Sequence, residues 1–201
     1  RMPAPPFTTS TLQQEAARKL GFSVSQTMMV AQRLYESGLI TYMRTDSVNL
    51  SSLCIGAAKE EIIKLYGEEY SSPRNFHTHS KGAQEAHEAI RPTYMANTSI
   101  EGTAQERRLY DLIWKRTAAS QMAEAQIEKT TVNIASSNFD ERFIANGEVV
   151  KFDGFIKVYR ESTDEDAEQQ DEFAHNLPPI KEGDVLTRRE ISSTERYSQG
   201  P

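Results

Sequence analysis

One short segment combines two side chains that could act together on a phosphate. Tyr42 and Arg44 stand two residues apart within the stretch LITYMRTDS, and in an extended chain that spacing puts both on one face. A phenol is a poor nucleophile at neutral pH, because its unperturbed pKa is about 10. A neighbouring guanidinium would stabilise the phenolate and hold a phosphate through two parallel hydrogen bonds. The pair therefore suits attack on a phosphodiester, although such spacing is commoner in surface strands without catalysis.

A second segment, residues 84–93, offers a candidate anion site. His87 and Arg91 are four residues apart, so on a helix both would face the same way. The alternative is an exposed helix with an ion pair between Glu88 and Arg91. A metal site at His77, His79 and His87 has little support, because no cysteine or acidic cluster accompanies them. We predict no metal ligands in this chain.

The residues before Tyr42 are predicted to form two helices joined by a tight turn. Capping boxes begin at Ser10 or Thr11 for the first helix, which Gly21 would end, and at Ser23 for the second, which Gly38 would end. With residues 39–42 as a short strand, this pattern is typical of a helix-turn-helix followed by a wing.

Three more helices are predicted farther along the chain. One covers about 51–66 and ends at Gly67; a short one covers 84–90, after a polar surface loop at 71–81. A longer helix covers about 104–122, and its buried side would consist of Leu109, Leu112, Ile113 and Trp114.

The character of the chain changes near residue 124. Alternating apolar residues from Lys129 onward predict four or five short strands, the last at about 184–192, with hairpin turns at Asn146-Gly147 and Asp153-Gly154. The acidic stretch 161–172 is expected to be a disordered loop. We therefore predict an α+β, multi-domain fragment: a mainly helical, winged-helix-like domain at 1–123, then part of an antiparallel β arch domain at 124–201 that looks truncated.

Composition limits the possible functions only weakly. The formal net charge is −6, but seven acidic residues lie within 161–172, and without residues 160–172 the chain is formally neutral. Binding of nucleic acid is therefore neither supported nor excluded by charge. The single cysteine, Cys54, lies in an apolar stretch and is expected to be buried in a protein of the reducing cytoplasm. No apolar run is long enough for a membrane span.

Three ordered motifs resemble the bacterial type IA DNA topoisomerases. They are the lead-in PFTTSTLQQE at 6–15, the stretch YESGLITYMRTDS at 35–47 and the block EAHEAIRPT at 85–93. The resemblance spans essentially the whole chain, more weakly past residue 125, and methionine at position 43 is the form found in bacterial topoisomerase I.

The resemblance implies a mechanism and a set of roles. Tyr42 would attack a DNA phosphate, form a 5′-phosphotyrosine link and free a 3′-hydroxyl that later reverses the step, relaxing negatively supercoiled DNA without ATP. Arg44 would stabilise the scissile phosphate and His87 would donate a hydrogen bond to it, with Asp46 orienting the imidazole. The expected DNA contacts are Arg44, Thr45, Asp46, Ser47, His87 and Arg91.

The resemblance also implies what must come from elsewhere. Family members bind Mg²⁺ through an acidic domain whose motif this sequence lacks, so Mg²⁺ and the rest of the cleft are expected from other domains of the same polypeptide. The fragment alone is expected to be inactive, and the partner to be single-stranded DNA in the bacterial nucleoid. Two alternatives remain from the residues: a non-catalytic winged-helix DNA-binding module, and a structural module that holds another domain.

Overall fold

The computed structural model describes residues 1–77, 88–137, 140, 142–160, 177–187 and 190. Within them the chain forms four α-helices and one two-stranded antiparallel sheet, so the predicted α+β class is confirmed. The elements are α1 (Thr9–Leu20), α2 (Val24–Glu36), α3 (Ser52–Tyr66), α4 (Ala104–Ser120), β1 (Gln126–Ala135) and β2 (Arg142–Phe152). None of the helices in these residues is long and apolar enough to cross a membrane.

The helix ends follow local signals, with one correction. Helix α1 begins earlier than predicted, because Thr8 is its N-cap and the Thr11 hydroxyl completes the capping box in place of a glutamine. The predicted starts at Ser10 and Thr11 were therefore wrong. Ser23 caps α2 as predicted, and Gly21 ends α1 with a φ of 69°, a left-handed conformation that favours glycine.

The core lies where α1, α2, α3 and α4 meet. The predicted buried side of α4 is confirmed, since Leu109, Leu112, Ile113 and Trp114 are all buried, and the Trp114 indole N–H donates to the Met95 carbonyl at 2.9 Å. Cys54 is buried in the same core, as predicted, and burial raises the pKa of its thiol to about 11. Apolar burial is the main stabilising contribution here.

The sheet differs from its prediction. Asn146 and Gly147 lie inside β2, opposite Thr131 and Thr130 of β1, and do not form a turn. Asp153-Gly154 begins a short 3₁₀ helix, Gly154–Lys157, which replaces the second predicted hairpin. Of the last predicted strand, the described residues 184–187 and 190 adopt no strand conformation. The acidic stretch 161–172 lies outside the described residues.

After β2 the chain returns to the helical core. The Phe155 N–H donates to the Ala123 carbonyl at 2.9 Å, and both Phe155 and Tyr159 are buried among the core side chains. The Tyr159 hydroxyl donates to the buried Glu15 carboxylate of α1 at 2.5 Å, and burial raises the pKa of that hydroxyl. The segment that follows the sheet is therefore bound to the helical body, across the predicted boundary at 123/124.

Candidate active site

The segment that carries Tyr42 alternates between exposed and buried side chains. Tyr42, Arg44 and Asp46 are exposed, whereas the side chains between and after them, Met43, Thr45 and Ser47, are buried. This is the period of an extended chain, so Tyr42 and Arg44 both face outward, as their spacing predicts. The three exposed side chains could therefore meet one ligand on one surface.

Thr41 fixes the backbone on one side of Tyr42. Its N–H donates to the Arg91 carbonyl at 2.9 Å, and its hydroxyl accepts from the Arg91 N–H at 3.0 Å and donates to the Ala89 carbonyl at 2.7 Å. Ile40 also forms an antiparallel bridge with Pro92. The expected wing strand is thus an extended segment that pairs with a stretch of chain about fifty residues later.

That pairing overturns the predicted helix at 84–90 for its described part only. The described part, residues 88–90, is extended, and Ile90 forms a bridge with Phe7 through an N–H donated to its carbonyl at 2.8 Å. Ala89 and Ile90 are completely buried, so tertiary pairing on both sides prevails over local helix propensity. Residues 84–87, including His87, lie outside the described residues.

Thr9, the first residue of α1, fixes the backbone on the other side of Tyr42. Its hydroxyl donates to the Met43 carbonyl at 2.8 Å and accepts from the Thr45 N–H at 2.9 Å, while its own N–H donates to the Thr45 carbonyl at 2.9 Å. Thr9 was not among the predicted site residues, and nothing in its local sequence indicates partners at residues 43 and 45. A shallow depression lies here, and it is lined by Thr8, Thr9, Ser10, Arg44, Thr45 and Asp46.

The exposed polar groups of the segment have no partners among the described residues. Within the described part of the chain, the Tyr42 hydroxyl, the Arg44 guanidinium and the Asp46 carboxylate make no hydrogen bond or ion pair. Since most guanidiniums that serve the fold are bound to acceptors, an unengaged one beside an exposed phenol is available for an anionic ligand.

Two other predicted DNA contacts serve the segment itself. The Thr45 hydroxyl accepts from the Ser47 N–H at 3.0 Å, and the Ser47 hydroxyl accepts from the Asn49 N–H at 3.1 Å. Both side chains are buried, with exposed fractions of 9% and 2%. Their side chains face inward and stabilise the turn that follows Arg44, and their contact with DNA stays a prediction.

Arg91 is also engaged inside the protein. Its guanidinium donates to the Glu88 carboxylate at 3.0 Å and to the Pro92 carbonyl at 2.9 Å, so the alternative Glu88–Arg91 pair is present, though on an extended segment. Glu88 also accepts from the Ser51 N–H at 2.6 Å. Burial raises the pKa of Glu88, but the hydrogen bonds from Ser51 and Arg91 outweigh it and hold that pKa below its usual value.

The Tyr42 ring has an aromatic neighbour on α2. The rings of Tyr35 and Tyr42 meet edge to face, with centroids 5.3 Å apart and planes inclined by 65°. This contact was also missed, although both residues stand in the motif at 35–47. Concerning metals, no group of three or more His, Cys, Asp or Glu that could hold an ion occurs among the described residues.

An exposed phenol and, on the same face, a guanidinium with no partner among the described residues define a candidate site for phosphoryl transfer on an α+β scaffold. A family profile described as DNA topoisomerase matches residues 1–201. The chain therefore belongs to the DNA topoisomerase family.

Individual relatives agree with this assignment. DNA topoisomerase 1 of Zymomonas mobilis is 47% identical over an alignment of 205 positions, which covers 100% of this chain and 17% of the relative. DNA topoisomerase 1 of Streptomyces coelicolor is 47% identical, again over 100% of this chain, and 22% of its own length is matched. The solved full-length topoisomerase I from Thermotoga maritima superposes with a TM-score of 0.69 at 41% identity, covering 81% of this chain and 28% of that one. The chain thus spans roughly a quarter or less of these relatives' length.

Proposed function

We propose that this chain carries the strand-cleaving tyrosine of an enzyme that cuts and rejoins one DNA strand without ATP. The observation that supports this most is the exposed row of Tyr42, Arg44 and Asp46. Its backbone is anchored by Thr41 and Thr9, and its polar groups make no hydrogen bond or ion pair with the described residues. The names of the relatives support the same class of reaction.

In the proposed reaction, the Tyr42 hydroxyl oxygen attacks a backbone phosphorus. The new bond joins that oxygen to phosphorus, the bond from phosphorus to the 3′-oxygen breaks, and the leaving 3′-oxygen takes up a proton. Attack by the 3′-hydroxyl on the phosphotyrosine reverses the step, and one ester is exchanged for another, so no external energy is needed. Arg44 would bind the phosphate and stabilise the charge that develops on it.

Two further roles follow from the family resemblance. His87 would donate a hydrogen bond to the scissile phosphate, with Asp46 as its orienting partner. A different role is proposed for Arg91 on the basis of its contacts: its guanidinium, bound to Glu88 and to the Pro92 carbonyl, would stabilise the segment whose backbone pairs with Thr41, and would not bind DNA.

The proposed partners are single-stranded or negatively supercoiled DNA and the remaining domains of the same polypeptide, which would supply Mg²⁺. Because this chain matches only 17–28% of the length of these relatives, we propose that its 201 residues do not relax DNA by themselves. The helix-turn-helix character and the division at 123/124 remain predictions, as does a location at the nucleoid.

A radiolabelled single-stranded oligonucleotide tests the central proposal. In the full-length protein, Tyr42→Phe should abolish the covalent protein–DNA adduct while DNA binding changes less than about twofold, because only one oxygen atom is removed. Tyr94→Phe is the matched control, since Tyr94 is exposed but lies outside the row. An adduct at wild-type level in Tyr42→Phe would refute the proposal and favour a non-catalytic DNA-binding module.

A further inference from the structure

The position of the Tyr42 ring is not explained by the backbone anchors alone. Thr41 and Thr9 fix the main chain around it, but the side chain is 41% exposed and its hydroxyl has no partner in the described part of the chain. An exposed side chain without contacts samples several staggered rotamers. Something must therefore restrict the ring if its oxygen is to meet a phosphate in line.

The one ring contact that the described residues give Tyr42 is with Tyr35. Tyr35 lies in the last turn of α2, and its carbonyl accepts from the Gly38 N–H at 2.8 Å. Gly38 has a φ of 71°, a left-handed conformation that turns the chain back after the helix. Residues 35 and 42, seven apart in sequence, are thereby brought to a centroid separation of 5.3 Å at an interplanar angle of 65°.

We propose that Tyr35 is a positioning residue that holds the Tyr42 ring in the orientation needed for attack. This rests on the proposed function. An edge-to-face pair of this kind favours its geometry by a factor of about two to ten. The Tyr35 hydroxyl makes no hydrogen bond in the described part of the chain, so its ring, and not its oxygen, performs this role.

The test compares two substitutions of Tyr35 in the full-length protein. Single-turnover cleavage of a saturating single-stranded oligonucleotide should slow about threefold to tenfold in Tyr35→Leu, with the DNA dissociation constant within about twofold of wild type. Tyr35→Phe keeps the ring, so this variant should cleave at the wild-type rate. Tyr94→Leu, an exposed tyrosine away from the pair, should cleave normally.

A spectroscopic measurement tests the position of the Tyr42 ring without relying on enzyme activity. With fluorotyrosine incorporated, the Tyr42 resonance, assigned by its loss in Tyr42→Phe, should shift in Tyr35→Leu and remain in place in Tyr35→Phe. Normal cleavage with an unmoved resonance in Tyr35→Leu, or equal losses in the Leu and Phe variants, would overturn the proposal. Such a result is distinct from failure of the proposed function, in which Tyr42→Phe would still form the adduct.

Discussion

Thr9 and Thr45 are joined in both directions, although they are 36 residues apart. The Thr9 N–H donates to the Thr45 carbonyl and the Thr45 N–H donates to the Thr9 hydroxyl, each at 2.9 Å. Because that hydroxyl also donates to the Met43 carbonyl, the start of α1 fixes the backbone on both sides of Arg44.

Replacing Thr9 should disturb this attachment. Thr9→Val preserves shape but leaves the Thr45 N–H without its acceptor, so the free energy of unfolding should fall by about 1–3 kcal/mol. Chemical denaturation measures the change. Thr9→Ser retains the hydroxyl and is the matched control; equal stabilities of the Val and Ser variants would show that the hydroxyl does not contribute.

Arg44 should matter for the chemical step and not for stability. Arg44→Lys keeps the charge but loses the planar, two-pronged donor, so cleavage or rejoining in the full-length protein should slow by about tenfold or more. The melting temperature of the Arg44→Lys variant should equal that of the wild type, since the Arg44 guanidinium has no partner among the described residues. Arg107→Lys on α4 is a suitable control, and an unchanged rate for Arg44→Lys would remove Arg44 from the mechanism.

Glu88 should make the stability of the protein depend on pH. The pKa of Glu88 is lower in the folded state than in the unfolded state. Its contribution to the free energy of unfolding is therefore complete above the pKa of the unfolded state, and is lost as the pH falls through the pKa of the folded state. Glu88→Gln should therefore be less stable than wild type near neutral pH, and the difference should close under acidic conditions, where both side chains are uncharged. Thermal unfolding from pH 3 to 7 measures this, and a constant difference would contradict it.

Substitution of glycine by alanine should have opposite effects on stability at two positions. At Gly154, φ is 50° and an added Cβ would lie 2.5 Å from the carbonyl oxygens of Ala123 and Glu124. Gly154→Ala should therefore lower the free energy of unfolding by about 2 kcal/mol or more. Gly56 lies in α3 with open space around it, and Gly56→Ala should stabilise by about 0.5–1 kcal/mol. Denaturation midpoints of the two variants compare them directly.

The sequence predicted best what neighbouring residues determine. Ser23, Ser51 and Gly21 set helix ends through contacts within a few residues, and the alternation around Arg44 follows from extended geometry alone. Asn146-Gly147 was wrongly predicted to be a turn, because a turn signal is only a local preference. Here the pairing of β2 with all ten residues of β1 outweighs that preference. Thr9 escaped prediction because its partners are more than thirty residues away, at a distance where a single sequence carries no signal.

The attachment of Thr41 to Arg91 has a consequence for the order of events during synthesis. Because the two residues are 50 apart, closing that loop carries an entropic cost before the contact forms. A ribosome that has synthesised the protein only as far as residue 80 would display Tyr42, Arg44 and Asp46 without the segment 89–92 that pairs with residues 40 and 41. Likewise, a synthetic peptide of residues 35–47 would contain the whole motif yet lack its geometry. Tyr42, the proposed nucleophile, would thus reach its final geometry only after a distant stretch of the chain has emerged.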